Sequence, residues 1–175
     1  MSEESYFHTT DAQRVTPDNE MPRYVLISLS DEILTIAKHL VTEPLEAGGI
    51  LIGERRGKHL RVVDLTLPGP NDLRKEHRFE RRCKSHQRHL ERRWRDSNEI
   101  LTWVGEWHTH PHGDPNPSTL DREASTKLTE GVGISMFFLI FGTKRSSYTL
   151  VDADQKPSRL KVLEKSEQGT LLGLN

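Results

Sequence analysis

The pattern of hydrophobic and polar positions predicts that the ordered part of the chain begins with a strand and a helix. The apolar, β-branched run RYVLISL at 23–29 is typical of a buried strand. Apolar residues then recur at helical spacing over 33–41, until Pro44 ends the pattern. Ser30 precedes two acidic residues, which is typical of a helix N-cap followed by a first turn. We therefore expect a strand that leads directly into a helix.

Further apolar segments predict a hairpin and a central strand. The glycine-bounded run GGILIG at 48–53 and the alternating segment at 59–68 flank a turn, so 49–68 is interpreted as a β-hairpin. GISMFFLIFG at 133–142 is the most apolar segment, and we interpret it as a central strand. The alternating residues at 146–154 predict a neighbouring strand.

A histidine-rich region lies between a predicted strand and a predicted helix. EILTWVGEW at 99–107 predicts the strand, and STLD, which begins at Ser118, matches a capping box at the start of the helix. Gly131 is placed to end that helix, and RLKVLEK at 158–164 predicts a last edge strand or helix. The order of elements, β-α-β-β-α-β-α-β-β, predicts an α/β domain with a mixed, curved β-sheet flanked by helices.

A strongly basic segment occupies residues 74–95 and contains ten basic and three acidic residues. We interpret it as a helix with one apolar stripe, formed by Phe79, Cys83, Leu90 and Trp94. A solvated basic face, a docking surface for an acidic partner or modifier tail, and a nucleic-acid interface all stay open, with nucleic acid ranked last. On the stripe, Cys83 is interpreted as a core thiol.

Length and charge favour one soluble domain. The chain has 175 residues, enough for one core, and its 25 Lys+Arg against 26 Asp+Glu give a formal charge of −1. We expect a disordered tail at 1–22, the domain at 23–165 and a C-terminal tail at 166–175. Because no apolar run is long enough to span a membrane and the start has no signal-peptide pattern, we expect a cytoplasmic location.

The balance of one cysteine, Cys83, against nine histidines limits how a metal ion can be bound. It excludes internal disulfides and thiolate zinc fingers, so the ligands must be histidines and carboxylates. His108 and His110 point to the same face if they lie on a strand, and Asp121 can add a carboxylate from the next helix. Such a set leaves the fourth zinc position open, as in catalytic sites. We expect His112 in the loop beside the metal.

Two plainer interpretations stay open from the residues alone. A pair of histidines at this spacing also occurs on solvent-facing strands, where it binds nothing. Ser118 and Asp121 can serve only as a capping box that satisfies backbone N–H groups at the start of the helix. Capping and metal binding can also coexist, because an aspartate in the first helical turn can face an ion while the serine caps the helix.

The combined spacing of these residues resembles the signature of JAMM (JAB/MPN-type) metalloproteases. GEWHTHP at 105–111, a seven-residue spacer to Ser118, and Asp121 three residues later match the pattern H-[ST]-H-x7-S-x2-D. EAGGILIG at 46–53 resembles the upstream element of the family, a glutamate before a glycine-containing strand. Thr109 takes the place of the more frequent serine, and we expect its side chain on the opposite face of the strand.

The resemblance implies a JAB/MPN-like fold and a role for each residue of the signature. His108, His110 and Asp121 would bind Zn²⁺. Glu46 would act as general base toward a zinc-activated water, and Ser118 would donate a hydrogen bond to the developing oxyanion. Family members cleave isopeptide or peptide bonds after the C-terminus of ubiquitin or ubiquitin-like proteins.

Among these enzymes, the chain most resembles bacterial JAB isopeptidases encoded with E1- and E2-like proteins, including those of CBASS anti-phage operons. The resemblance implies a hydrolase that acts on the C-terminal tail, or the conjugates, of a ubiquitin-like modifier or a cGAS-like nucleotidyltransferase. It implies antiviral defence as the role, and E1- and E2-like proteins as partners; we expect no membrane partner and rank nucleic acid last. The alternative is a metal-free, MPN-like protein-binding module.

Overall fold

A computed structural model of the protein describes residues 25–174. Its helices are α1 (Asp31–Leu40), α2 (Ser85–Asp96) and α3 (Thr119–Val132). Its strands are β1 (Leu26–Leu29), β2 (Gly48–Arg56), β3 (His59–Leu65), β4 (Leu73–Lys75), β5 (Arg78–Glu80), β6 (Thr102–His110), β7 (Met136–Gly142), β8 (Ser146–Val151), β9 (Pro157–Arg159), β10 (Lys161–Ser166) and β11 (Gly169–Gly173). The tail predicted at 1–22 lies outside the described residues. Within 25–174, no helix is long and apolar enough to cross a membrane.

Nine strands form one mixed sheet in the order β10-β11-β1-β3-β2-β6-β7-β8-β9. The pairs β1–β3 and β6–β7 are parallel, and the other neighbours are antiparallel. Register shifts interrupt the pairing of β2 with both of its neighbours, and such irregularities bend a sheet. The remaining strands, β4 and β5, form a separate hairpin. The predicted α/β class, with a mixed sheet and flanking helices, is confirmed.

The hydrophobic core lies between the sheet and α1. Ile33 and Ala37 of α1 are buried together with Trp107 of β6 and with Phe137 and Leu139 of β7. As its apolar sequence predicted, β7 is an interior strand, between β6 and β8. Since side chains alternate along a strand, the core fixes which residues of β6 face the other side of the sheet.

The predicted hairpin and one further predicted strand form close to their expected positions. The hairpin predicted over 49–68 is present as β2 and β3, which pair in antiparallel register. The strand predicted over 99–107 lies three residues further along the chain, as β6, which ends at His110. This shift matters for the site, because it places His108 and His110 within the strand and not after it.

The helix predicted for the basic segment is wrong in its first half, because α2 begins only at Ser85 and a β-hairpin precedes it. Phe79 of β5 packs so closely on Gly48 that a Cβ at that glycine would lie 2.5 Å from the ring. Cys83 is buried against Gly69, and a Cβ at that glycine would lie 2.5 Å from the Cys83 Sγ atom. The predicted stripe therefore does not lie on one helix: separate tertiary contacts hold Phe79 and Cys83, whereas Leu90 and Trp94 lie on α2, where Trp94 is exposed.

Asp72 holds this irregular stretch in place. Its side chain has no solvent exposure and accepts three backbone N–H groups at 2.6–2.7 Å, from Gly69, Arg82 and Cys83. The Nε2 atom of the fully buried His86 lies 2.7 Å from the same carboxylate. Burial opposes ionisation of Asp72, but these bonds favour the charged form and lower its pKa to about 2.

Helix α1 begins where it was predicted, whereas the predicted end of α3 needs a correction. Ser30 occupies the N-cap position of α1, but its side chain makes no capping hydrogen bond. Helix α3 continues to Val132, past the predicted end at Gly131. Gly133 forms the C-cap at φ +71°, where its N–H donates to Thr129 O at 2.8 Å. The second glycine takes the left-handed conformation that ends the helix.

The end of the described chain belongs to the sheet. The segment predicted as an edge strand or helix at 158–164 contributes to β9 and β10, which lie at opposite edges. The prediction of a C-terminal tail at 166–175 is wrong, because Gly169–Gly173 form β11, which lies between β10 and β1 in the sheet. Thr170 and Leu172 of β11 are buried. The short run GTLLG has little helical or strand signal of its own, and pairing with a strand distant in sequence orders it.

Candidate metal centre and active site

Two imidazoles from strand β6 converge on one point. His108 and His110 lie on the same face of the strand, and their Nε2 atoms are 3.0 Å apart. The neighbouring strands β2 and β7 pair with β6 on both sides, so its backbone is held within the sheet. Between them, Thr109 is fully buried, in agreement with the expected alternation of faces. The sheet thus presents two nitrogen atoms to the same small volume.

The orientation of His110 is set by the loop between β6 and α3. Its Nδ1 atom lies 2.8 Å from the carbonyl oxygen of Asp114, so Nδ1–H donates and Nε2 is the nitrogen with the free lone pair. Asp114 is in turn held by an ion pair with Arg145 and by the backbone N–H of Asn116. A hydrogen bond of this kind to the remote nitrogen is typical of metal-binding histidines.

A carboxylate from the first turn of α3 faces both histidines. Asp121 Oδ1 lies 3.3 Å from His108 Nε2, and Asp121 Oδ2 lies 3.5 Å from His110 Nε2. Asp121 also completes the predicted capping box, because Oδ2 accepts the Ser118 N–H and the Asp121 N–H donates to Ser118 Oγ. Burial opposes its ionisation, but hydrogen bonds to the histidines hold the pKa of Asp121 far below its usual range.

The donor set fits a metal ion. The ligand atoms of His108, His110 and Asp121 all lie within 4.8 Å of one another, and each side chain is partly exposed. Burial alone would lower the pKa of His110, but Asp121 and the Asp114 carbonyl raise it above its usual value, so a proton and a cation compete for this nitrogen. Two imidazoles and one carboxylate match the composition of catalytic zinc sites.

Glu46 lies beside this group on the segment that leads into β2. Its Oε1 atom is 4.0 Å from His110 Nε2, and the residue is only 7% exposed. Burial raises the pKa of the Glu46 carboxyl above its usual value, although the charges of His108 and His110 oppose the rise. A carboxyl in such surroundings is suited to accept a proton and to return it.

The backbone around Glu46 is clamped by Arg74, which sequence reasoning counted only among the charges of the basic segment. Its guanidinium donates to the carbonyl oxygens of Glu46 at 2.9 Å and Leu45 at 3.2 Å, and to the Glu43 carboxylate at 2.6 Å. The N–H of Glu46 donates to the Lys75 carbonyl at 2.9 Å. No local pattern signals this role, because Arg74 and Glu46 are 28 residues apart.

The other predicted residues lie at the rim of the site. Ser118 is exposed, and because its Oγ accepts the Asp121 N–H, the hydroxyl hydrogen stays free to donate. His112 lies in the loop after β6 and lines the same cleft; its Nε2 is 3.0 Å from the Pro44 carbonyl, and it does not belong to the ligand group. It therefore connects the histidine loop to the segment that carries Glu46.

A cleft of about 510 Å³ extends from the candidate metal centre along the sheet. Phe138 and Ile140 of β7 line it between the β4–β5 hairpin on one side and α3 on the other. Arg81 and Glu106 form an ion pair at 2.8 Å among the lining residues. The cleft joins apolar and charged surface to the converging histidines, which is the usual composition of a binding site.

A curved α/β sheet with two histidines on an inner strand, a carboxylate at the next helix and a buried glutamate nearby defines a JAB-type domain. The model of the family described as prokaryotic homologs of the JAB domain matches residues 28–153, and the chain belongs to this family.

Curated relatives and a solved structure agree with this assignment. The chain is 39% identical over 125 residues to a Vibrio cholerae protein named CD-NTase/cGAS isopeptidase, across 66% of this chain and 80% of that protein. An Escherichia coli protein of the same name is 43% identical over 76 residues, across 43% of this chain and 49% of its own length. The solution structure of DSY2949 from Desulfitobacterium hafniense matches the fold with a TM-score of 0.54 at 21% identity, across 74% of this chain and 83% of that one.

Proposed function

We propose that this protein is a zinc-dependent isopeptidase that cleaves after the C-terminus of a protein conjugated to a target. The observation that carries the proposal is the convergence of His108, His110 and Asp121 next to the buried Glu46, at one end of a cleft. The two relatives named isopeptidases support the same reaction class. The reaction adds water across the scissile amide, so that a carboxylate and a free amine are released.

His108, His110 and Asp121 would hold the metal ion, and we propose that the ion is zinc. When bound, zinc supplies Lewis acidity, which lowers the pKa of a coordinated water and polarises the substrate carbonyl. Three protein ligands, one of them a carboxylate, match catalytic zinc, but the same set also occurs around iron(II). Elemental analysis of the purified protein distinguishes the two, and about one zinc per chain is expected.

Glu46 and Ser118 would perform the proton transfer and the charge stabilisation. Glu46, held by Arg74 through its backbone, would accept a proton from the attacking water and deliver it to the leaving amine. The free hydroxyl hydrogen of Ser118 would donate to the carbonyl oxygen as negative charge develops on it. The cleft between the β4–β5 hairpin and α3 would hold the extended C-terminal tail in line with these groups.

The proposed substrate is a conjugate in which the C-terminus of a cGAS-like nucleotidyltransferase is joined to a target, with a ubiquitin-like modifier as the second candidate. The names of the Vibrio and Escherichia relatives, CD-NTase/cGAS isopeptidase, support the nucleotidyltransferase. A place in an anti-phage operon is part of the proposal. Neighbouring genes for E1-like, E2-like and nucleotidyltransferase proteins are the expected genomic context.

The direct test is cleavage of a cGAS-like nucleotidyltransferase fused through its C-terminus to green fluorescent protein. We expect release of the fluorescent protein by the wild type, loss of cleavage with a chelator, and recovery with zinc. His108→Ala and Glu46→Gln should abolish cleavage, whereas the matched variants at exposed positions, His39→Ala and Glu32→Gln, should retain it. A pure protein that binds no metal and cleaves neither this fusion nor a ubiquitin-like fusion would instead support a metal-free binding module.

A further inference from the structure

The structure divides the cations of the basic segment into two groups. Five arginines form ion pairs with carboxylates of the domain: Arg74, Arg78, Arg81, Arg82 and Arg93. The other five Lys and Arg residues are exposed and form no ion pair with any carboxylate in residues 25–174; one is Lys75 of β4, and the second group consists of the remaining four, Lys84, Arg88, Arg92 and Arg95. The first group stabilises the domain, whereas the charges of the second group are left to solvent or to a partner.

The second group forms one stripe on α2 and the residue before it. At about 100° per residue, its four members fall within about 80° of the helix circumference. The opposite side of α2 packs on the domain, where His86 is fully buried and Arg93 and His89 contact the Asp64 carboxylate at 2.8 Å. The stripe therefore points directly away from the sheet, and we name it the α2 basic stripe.

Helix stability does not explain most of the α2 basic stripe, because only Arg95 lies in the last turn, where the helix dipole favours a cation. Lys84, Arg88 and Arg92 are spaced four residues apart, and like charges at this spacing repel and destabilise a helix. The first turn has no acidic residue, and Lys84 at the N-cap position makes no side-chain capping bond. A partner that supplies carboxylates would relieve this repulsion, so the stripe is best accounted for by binding.

The position of α2 connects the stripe to the cleft. The helix packs on β2 and β6, the strands that carry Gly48 and His108 at the candidate metal centre. Arg81, three residues before the stripe, lines the cleft and pairs with Glu106 of β6. A folded protein whose C-terminal tail occupies the cleft would therefore lie close to α2.

We propose that the α2 basic stripe docks an acidic surface on the folded body of the substrate protein, while the cleft holds its tail. This inference rests on the proposed function and adds a second contact to it. Protein carboxylates are favoured over nucleic acid, because the chain has a net charge of −1 and Glu91 lies beside the stripe. Electrostatic contacts of this kind raise the association rate and the specificity more than the rate of the chemical step.

The test compares two fluorescent fusions, one that carries the whole nucleotidyltransferase and one that carries only its C-terminal tail. The α2 variant combines Lys84→Gln, Arg88→Gln, Arg92→Gln and Arg95→Gln. The control removes the same number of charges from exposed positions elsewhere, with Lys38→Gln, Lys58→Gln, Lys161→Gln and Lys165→Gln. For the whole fusion we expect KM to rise about tenfold or more in the α2 variant, with kcat unchanged and a weaker dependence on salt. Cleavage of the tail-only fusion, and both reactions of the control, should stay within about twofold of the wild type.

Several outcomes would overturn the docking surface. Equal effects of the α2 variant on both fusions, or no effect on either, would contradict it. Binding of a DNA duplex that only the α2 variant loses, with unchanged cleavage, would identify a nucleic-acid surface. Tighter binding of the substrate by the α2 variant would show that the stripe hinders the substrate and would likewise contradict the docking surface.

A failure of the proposed function can be recognised separately. If the wild type cleaves neither fusion, the isopeptidase proposal fails, and binding of the whole nucleotidyltransferase is then measured by fluorescence anisotropy with wild type and α2 variant. Weaker binding by the α2 variant alone would support the docking surface without catalysis, and equal binding by both would refute it.

Discussion

Thr109 and Ala47 are joined by two hydrogen bonds that connect the histidine strand to the segment of Glu46. The Ala47 N–H donates to Thr109 Oγ1 at 2.9 Å, and the Thr109 N–H donates to the Ala47 carbonyl at 2.8 Å. Both residues are fully buried. Thr109, whose side chain faces away from the metal centre, therefore fixes the distance between the two histidines and the Glu46 carboxyl.

Removing the Thr109 hydroxyl should disturb this connection. Thr109→Val keeps the shape but leaves the Ala47 N–H buried without its acceptor, which costs about 1–3 kcal/mol of stability. We expect kcat to fall about tenfold or more because Glu46 is no longer held at its distance from His110. Thr109→Ser restores the acceptor and should recover most of the activity. Equal activity of the valine and serine variants in the fusion assay would contradict this role.

Arg74 should act as a positioning residue for Glu46. Arg74→Lys and Arg74→Gln both remove the fork that holds the carbonyls of Glu46 and Leu45, because an ammonium cannot reproduce its planar geometry. We expect a decrease in kcat of about tenfold, with KM and bound zinc unchanged, since neither the cleft nor the ligands are altered.

The matched control for Arg74 is Arg61→Gln, at an exposed arginine on β3 remote from the site. It should leave kcat unchanged. Steady-state kinetics and elemental analysis on the same preparations separate the possibilities. Loss of zinc from the Arg74 variants, or a kcat equal to that of the control, would show that the clamp does not position Glu46.

The sequence predicts those site residues that lie close together along the chain. His108, His110 and Asp121 lie within one strand, loop and helix turn, so strand alternation and capping chemistry are enough to bring them together. Glu46 could be selected only through the family resemblance, since nothing in the neighbouring sequence distinguishes it from exposed glutamates. The contact between Thr109 and Ala47 spans 62 residues, and no periodicity reports such a distance.

Contacts between residues distant in sequence also explain why the helix predicted for the first half of the basic segment is wrong. Strongly apolar segments, such as β7, form where their pattern predicts, because burial alone decides their structure. The stretch before α2 does not, because the Asp72 carboxylate holds the backbone of Cys83, 11 residues further on, in a conformation that helical spacing cannot reveal. Side-chain bonds to distant backbone groups override the local preference there.

Asp72 should make stability depend on pH in the acid range. Its pKa in the folded protein, about 2, lies below the usual value of 3.8, so folding favours the ionised form. The stabilisation is therefore fully present above about pH 4 and is lost as the pH falls toward 2; the shift corresponds to about 2 kcal/mol. Asp72→Asn should lower the free energy of unfolding by at least about that amount at pH 7.

The measurement for Asp72 is urea denaturation of wild type and variant at several pH values. The difference between the two should shrink as the pH approaches 2, because the wild type then loses its charge-dependent stabilisation. Asp154→Asn, at an exposed aspartate, should show no such difference. A difference that stays constant from pH 7 to pH 2 would assign the effect to packing instead.

Removal of the metal should lower the melting temperature and thereby test the ligand set without reference to activity. An ion that binds only the folded state adds about 2.7 kcal/mol at a hundredfold excess over Kd, so a chelator should lower Tm by roughly 5–10 °C. His108→Ala should remove the response to zinc.

Asp121→Asn separates the two roles of that residue, because its amide oxygen can still accept the Ser118 N–H while the negative charge is lost. We expect the asparagine variant to keep α3 intact by circular dichroism and to respond to zinc more weakly than the wild type, whereas Ser118→Ala should weaken the cap and keep the response. A zinc response of Asp121→Asn equal to that of the wild type would show that Asp121 only caps the helix.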